Sequence, residues 1–312
     1  MNSRSEISDT VPFGRVLTAM ITPFTAAGAV DLAGTARLAE HLVDQGNDGL
    51  VVNGTTGESP TTTDEEKERV LRAVVEAVGD RAHVLGGVGT FDTAHSIELA
   101  QQAEKAGAHG LLVVTPYYSK PPQEGLRRHF TAVADSTGLP VMVYDIPGRT
   151  AVAIETETLL RLAEHPRIVA VKDAKDDLGA SSQVLARTDL AYYCGSDMFN
   201  LPLLSVGGVG FVSVVGHVVT PRLVALVDAW SAGEVAHATA VHQELLPVYL
   251  GMFRTQGVIL TKAALDLLGF PAGPVRAPLV DATPEQRTRL RADLLAGGVD
   301  VEPNLAPAGV AR

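Results

Sequence analysis

Short, continuously apolar runs alternate with amphipathic stretches along most of the chain. The runs are Val16–Phe24, Gly49–Asn53, His83–Gly89, Gly110–Pro116, Pro140–Ile146, Ile168–Asp173, Ala191–Cys194 and Gly210–Val215. Gly110-Leu-Leu-Val-Val-Thr115 shows no polar alternation, which is the pattern of a strand buried on both faces. Between the runs, apolar residues recur at helical spacing: Val70, Leu71, Val74, Val75 and Val78 share one face, as do Leu38 and Leu42. Thr63-Asp-Glu-Glu66 reads as a capping box, Asp92 as an N-cap, and Gly46 and Gly107 as helix stops.

Eight strands in βα alternation, recurring at roughly 20–35 residue intervals, predict a closed parallel (β/α)₈ TIM barrel. A doubly wound open sheet is the alternative. It lacks its dinucleotide turn, because Phe91 and Asp92 follow Gly87-Val-Gly89 where a third glycine is needed. Strand signals stop after Ala232, and Glu234–Met252, Gln256–Leu268 and Thr283–Leu295 read as three helices. The predicted organisation is a flexible N-terminal segment (1–12), the barrel (13–232), a helical C-terminal unit (233–300) and a tail (301–312).

Composition narrows the class. The chain has 312 residues, 46% hydrophobic, enough for one large domain with an appendage. A net charge of −11 gives no general footprint for nucleic acid or anionic membrane. The most apolar stretch, Val206–Val219, is broken by four glycines and His217 and is too short to span a bilayer. Cys194 is the single cysteine, so no intrachain disulfide is possible, and the first residues carry no signal-like apolar run. These features predict a cytoplasmic protein.

In a parallel barrel, chemistry gathers at the C-terminal ends of the strands. Lys172 ends the apolar strand Ile168-Val-Ala-Val-Lys-Asp173. Burial there would free its amine to attack a ketone. The plainer reading pairs it with Asp173 or Asp176. Lys175, in a polar run, reads as solvated. Tyr144 closes the preceding strand, suited either to proton transfer or simply to packing. Arg149 follows the Pro147-Gly148 turn, where its fork could grip a carboxylate or lie on the surface. Gly54-Thr55-Thr56-Gly57-Glu58 follows the second strand and suits a small anion, without the lysine of a nucleotide loop. Thr115-Pro-Tyr-Tyr118 places two phenols at the mouth. The nine histidines lack metal-ligand spacing, so no metal is predicted, and His217 reads as structural.

Together, Gly54-Thr-Thr-Gly-Glu58, Thr115-Pro-Tyr-Tyr118, Tyr144-Asp-Ile-Pro-Gly-Arg149 and Val171-Lys-Asp173 resemble the dihydrodipicolinate synthase / N-acetylneuraminate lyase family of class I aldolases. The resemblance runs from about Gly14 to Leu268. It implies a cofactor-free lyase in which Lys172 forms an imine with pyruvate. Tyr144 then shuttles protons through Thr55 and Tyr118, the latter reaching in from a neighbouring subunit of a homotetramer, a dimer of dimers. Thr56, with Thr55, would hold the pyruvate carboxylate, and Gly195 and Val212 would line its pocket. Arg149 resembles the synthase branch, whose second substrate, aspartate 4-semialdehyde, brings a carboxylate. That branch makes 4-hydroxy-tetrahydrodipicolinate for lysine and diaminopimelate biosynthesis.

The chain departs from the family pattern at Ser196, where an aspartate is frequent, at Val212 for isoleucine, and at His217 for asparagine. At the positions matching the family's lysine-inhibition site stand Asp64, Lys67, Phe91 and His95, with Tyr117 retained. Lys67 repels a cation and His95 replaces a carboxylate, so weak or absent inhibition by lysine is expected. Two other readings stay open: a pyruvate-dependent aldolase of a sugar acid, and an inactive barrel that binds a keto acid.

Overall fold

Eight parallel strands close on themselves in sequence order. The computed structural model describes residues 11–301. The strands are β1 (Val16–Ala19), β2 (Gly49–Val52), β3 (His83–Gly87), β4 (Gly110–Val114), β5 (Val141–Asp145), β6 (Ile168–Asp173), β7 (Ala191–Cys194) and β8 (Gly210–Ser213). β6 and β7 match their apolar runs residue for residue. The other runs overshoot, because their last residues leave the ladder to build loops over the barrel mouth. Closure is set by pairing of Leu17 with Val212 and Thr18 with Ser213. Gly210 permits it: a Cβ there would lie 2.0 Å from the Arg15 carbonyl oxygen.

The strand period of two splits the core into two layers. Leu17, Val51, Leu85, Met142, Ala170 and Val212 point into the barrel. Their neighbours Val16, Leu50, Val84, Val141 and Val171 point outward against the helices. Both sides of each strand are therefore dry, which explains the continuous apolar runs.

Helices α1 (Leu32–Asp44), α2 (Asp64–Val78), α3 (Thr93–Lys105), α4 (Gln123–Asp135), α5 (Pro147–Thr150), α6 (Thr156–Leu162), α7 (Leu178–Leu185), α8 (Asn200–Leu204) and α9 (Gly216–Ser231) follow the strands. The predicted punctuation is present. Thr63 and Glu66 form a reciprocal capping box, Asp92 accepts from the Ala94 N–H, and Gly46 and Gly107 sit at φ 105 and 89. Three helices complete the chain: α10 (Val235–Met252), α11 (Gly257–Leu267) and α12 (Pro284–Ala296). The sequence reading began each one at its N-cap: Glu234, Gln256 and Thr283.

Leu245, Val248, Tyr249, Leu260, Leu290 and Leu294 belong to the same apolar cluster as the outward faces of the barrel strands. The C-terminal helices thus share the barrel's outer core. Of the predicted terminal segments, residues 1–10 and 302–312 lie outside the described residues. Among the described residues, no helix is long and apolar enough to cross a membrane.

Candidate active site

The inward parity of β5 and β6 decides the site. Met142 and Ala170 face the barrel interior, so Tyr144 and Lys172, two residues on, face it too. The two are direct register partners at the C-terminal ends of adjacent strands. The Lys172 Nζ lies 4.2 Å from the centroid of the Tyr144 ring, and both side chains are buried. Thr115 fixes this strand end by donating its hydroxyl to the Tyr144 carbonyl at 3.0 Å.

The plainer pairing of Lys172 is not made. Asp173 points outward, where it accepts from the Lys175 N–H at 2.9 Å and from the Ser181 hydroxyl. Among the described residues, Lys172 makes no ion pair with Asp173 or Asp176. Burial pulls the amine down to about 8, opposed by the negative charge of Asp197 and reinforced by Arg149. Burial also pushes the Tyr144 phenol well above its usual value, so the phenol is held protonated.

These groups open into a cleft of about 370 Å³ that also takes in Thr55, Thr56, Arg149, Gly195 and Asp197. Six of the eight sequence-predicted site residues therefore converge. Gly195 leaves room for the lysine stem, because a Cβ there would come to 3.0 Å from Lys172 Cε and Cγ. Arg149 stands in α5, and among the described residues its guanidinium has no ion-pair partner. A larger hollow of about 620 Å³ sits at the opposite end of the barrel, around His165, Arg187 and Asp189, and gathers no comparable set.

Two predicted residues stand elsewhere in this chain. Val212 is fully buried inside the barrel, and Val214, two residues on, lines the cleft instead. The parity is right but the depth is one layer too low. Tyr118 is 92% exposed with φ 70, turned away from the cleft, whereas Tyr117 adjoins Thr55 and Tyr144 around a hollow of about 60 Å³.

Lys175 corrects the sequence reading. It is largely shielded rather than solvated, with its side chain 13% exposed: its Nζ donates to the Ile154 carbonyl at 3.1 Å and lies 3.4 Å from Asp145 Oδ2. Burial raises the Asp145 carboxyl to about 6. The turn at Asp176 (φ 62) keeps Lys175 against the barrel wall, which a polar run in sequence does not reveal.

Asp197 was not singled out by the sequence. It accepts from the Ser213 hydroxyl (2.5 Å), the Val214 and Val215 N–H groups (3.0 and 3.1 Å) and Asn200 (3.3 Å). Its contacts join the β7 and β8 loops, and burial raises its carboxyl. His217 is structural, as read: its Nδ1–H donates to the Val214 carbonyl at 2.7 Å and its Nε2 accepts from the Ile21 N–H at 3.1 Å. Burial lowers it to about 4, so the ring is neutral. Among the described residues, no cluster of histidine, cysteine and carboxylate side chains could hold a metal ion.

Comparison with known proteins agrees with the barrel fold. Residues 12–296 match the Dihydrodipicolinate synthetase family. The chain belongs to that family. A family relative named 4-hydroxy-tetrahydrodipicolinate synthase 2, from Streptomyces coelicolor, is 70% identical over 290 residues, 93% of this chain and 97% of the relative. The Acidothermus cellulolyticus 4-hydroxy-tetrahydrodipicolinate synthase is also 70% identical, over 92% of this chain and 93% of its own. Among solved dihydrodipicolinate synthase structures, the lysine-bound enzyme of Cyanidioschyzon merolae superposes with a TM-score of 0.91 at 40% identity. The match covers 92% of this chain and 99% of that one.

Proposed function

We propose that this chain condenses pyruvate with aspartate 4-semialdehyde to give 4-hydroxy-tetrahydrodipicolinate, in lysine and diaminopimelate biosynthesis. The observation that carries the reading is a buried amine, free of any carboxylate partner among the described residues, that shares a cleft with an unpaired guanidinium. It stands in a chain 70% identical to relatives bearing that enzyme's name.

The chemistry follows from the residues. The neutral Lys172 amine adds to the pyruvate ketone, and loss of water leaves an iminium. The positive nitrogen acidifies the neighbouring methyl group, whose proton leaves to give an enamine. The enamine carbon attacks the aldehyde, regenerating the iminium, and the developing alkoxide takes a proton. The amino group of the semialdehyde then adds to the iminium carbon and expels the Lys172 amine, which closes the ring and frees the lysine. Tyr144, adjacent to Lys172 and held protonated, is placed to exchange these protons. Thr55 and Thr56 hold the pyruvate carboxylate, and Arg149 holds that of the semialdehyde. The scheme needs no cofactor and no metal.

We further propose that Tyr118 completes a proton relay through Thr55 from a second subunit, within a cytoplasmic homotetramer. An exposed tyrosine kept in left-handed backbone costs conformational energy, and a partner's site supplies a reason for it.

The test is consumption of aspartate semialdehyde with pyruvate, coupled to a downstream reductase. Activity requiring both substrates supports the reading. Silence, with a pyruvate adduct still trapped on Lys172 by borohydride, transfers the chemistry to another aldehyde, such as a sugar acid's. Absence of any adduct leaves only a binding barrel. Lys172→Ala should trap nothing and lose turnover at least about a thousandfold; retained activity overturns the scheme.

A further inference from the structure

Glu58 closes the Thr55–Thr56 loop, yet the chemistry above does not use it. It sits in left-handed backbone (φ 54), and the residue is only 3% exposed. Its Oε1 faces the Lys262 Nζ at 2.7 Å, and its Oε2 accepts the Arg276 backbone N–H at 2.8 Å. Lys262 stands on α11, 5% exposed. Its ammonium also donates to the Pro274 carbonyl at 2.7 Å and lies 4.1 Å from the Phe24 ring centroid. The Arg276 guanidinium lies 4.3 Å from the same centroid and binds Glu66 through both carboxylate oxygens, at 2.6 and 2.7 Å. Two cations and two carboxylates thus close a network around Phe24, joining the anion loop and α2 to the C-terminal segment.

A buried ion pair contributes little net stability, but removing one partner leaves a charge that must reach water. Without Lys262 the stranded charge is the Glu58 carboxylate, and with Glu58 neutralised it is the Lys262 ammonium; either way the link that holds the loop to α11 is lost. The loop is also held by the Arg276 N–H on Glu58 Oε2 and by the Thr22 hydroxyl, which donates to the Gly57 carbonyl at 2.7 Å. We propose that Lys262 is a positioning residue for pyruvate binding: through Glu58, the C-terminal helical unit sets where Thr55 and Thr56 stand. This rests on the reading that those threonines hold the pyruvate carboxylate.

The experiment compares the full chain with Lys262→Met, Glu58→Gln and the double variant. The readouts are KM for each substrate, kcat and melting temperature. Each single variant is expected to raise the pyruvate KM about tenfold while the semialdehyde KM stays within about twofold. Because both break one link, the double variant should match a single one rather than multiply them. An unmoved pyruvate KM, a multiplied effect, or a lower melting temperature with both KM values unchanged overturns the inference. If Lys262→Met fails to fold, Glu58→Gln, which keeps its shape, decides alone. Borohydride trapping of the unaltered chain separates the two levels. No adduct there sinks the parent reading and this inference with it, whereas an adduct with variants that bind pyruvate equally well sinks only the inference.

Discussion

The role proposed for Lys172 as nucleophile rests first on its burial and then on where its neighbours' charges lie. Burial lowers its amine to about 8, so the reactive neutral fraction grows as pH rises through that value. The initial rate of borohydride-trapped adduct, at limiting pyruvate, should therefore climb towards pH 8 and level off above it. Asp197 holds the amine up and Arg149 pushes it down. Asp197→Asn should move this profile to lower pH, and Arg149→Ala to higher pH with a raised KM for the semialdehyde. Shifts of the same sign in both variants would contradict this electrostatic account. Gly195 acts beside them by absence, since a side chain would occupy the space of the lysine stem.

At the scale of elements, the barrel depends on close backbone approach between β8 and β1. Gly210→Ala sets a methyl group 2.0 Å from the Arg15 carbonyl oxygen, which accepts the Phe211 N–H at 2.8 Å. Because backbone rather than a flexible side chain is in the way, destabilisation of about 3 kcal/mol is expected in urea unfolding. An unchanged midpoint would show that the seam can open without cost. The helix ends were legible because capping is local: Thr63 and Glu66 satisfy each other three residues apart. Strand ends were less so, because the apolar pattern continues into loops that cover the mouth. Lys175 departs from its expected exposure for a non-local reason. Its neighbours in sequence are polar, but its partners Asp145 and Ile154 come from another βα unit.

At the scale of the molecule, the proposed assembly makes a test of its own. A chain carrying Lys172→Ala and one carrying Tyr118→Phe should each be nearly inactive. Mixed and reassembled, they should regain activity, because one site of each hybrid pair has both Lys172 and a Tyr118 from across the interface. No recovery would place Tyr118 within its own subunit's site. Regulation also belongs here. Asp64 is already engaged by His95 Nε2 at 2.8 Å and lies 3.6 Å from the Lys67 ammonium, while Lys67 donates to the Thr62 carbonyl at 2.5 Å. A lysine ligand would meet a resident cation and a carboxylate in use. Little inhibition by millimolar lysine is expected in the coupled assay, and strong inhibition would refute it.

The sequence by itself determined the alternation of strands and helices, their order, and the set of polar residues at strand ends. Those properties are encoded within a few neighbouring positions, where periodicity and capping operate. Tertiary structure decided the rest. Ladder register placed Lys172 beside Tyr144, and strand depth put Val214 rather than Val212 in the cleft. Chain closure brought Glu58 to Arg276 across 218 positions. No local pattern carries such information, because which buried charge meets which depends on how the whole barrel and its C-terminal helices pack.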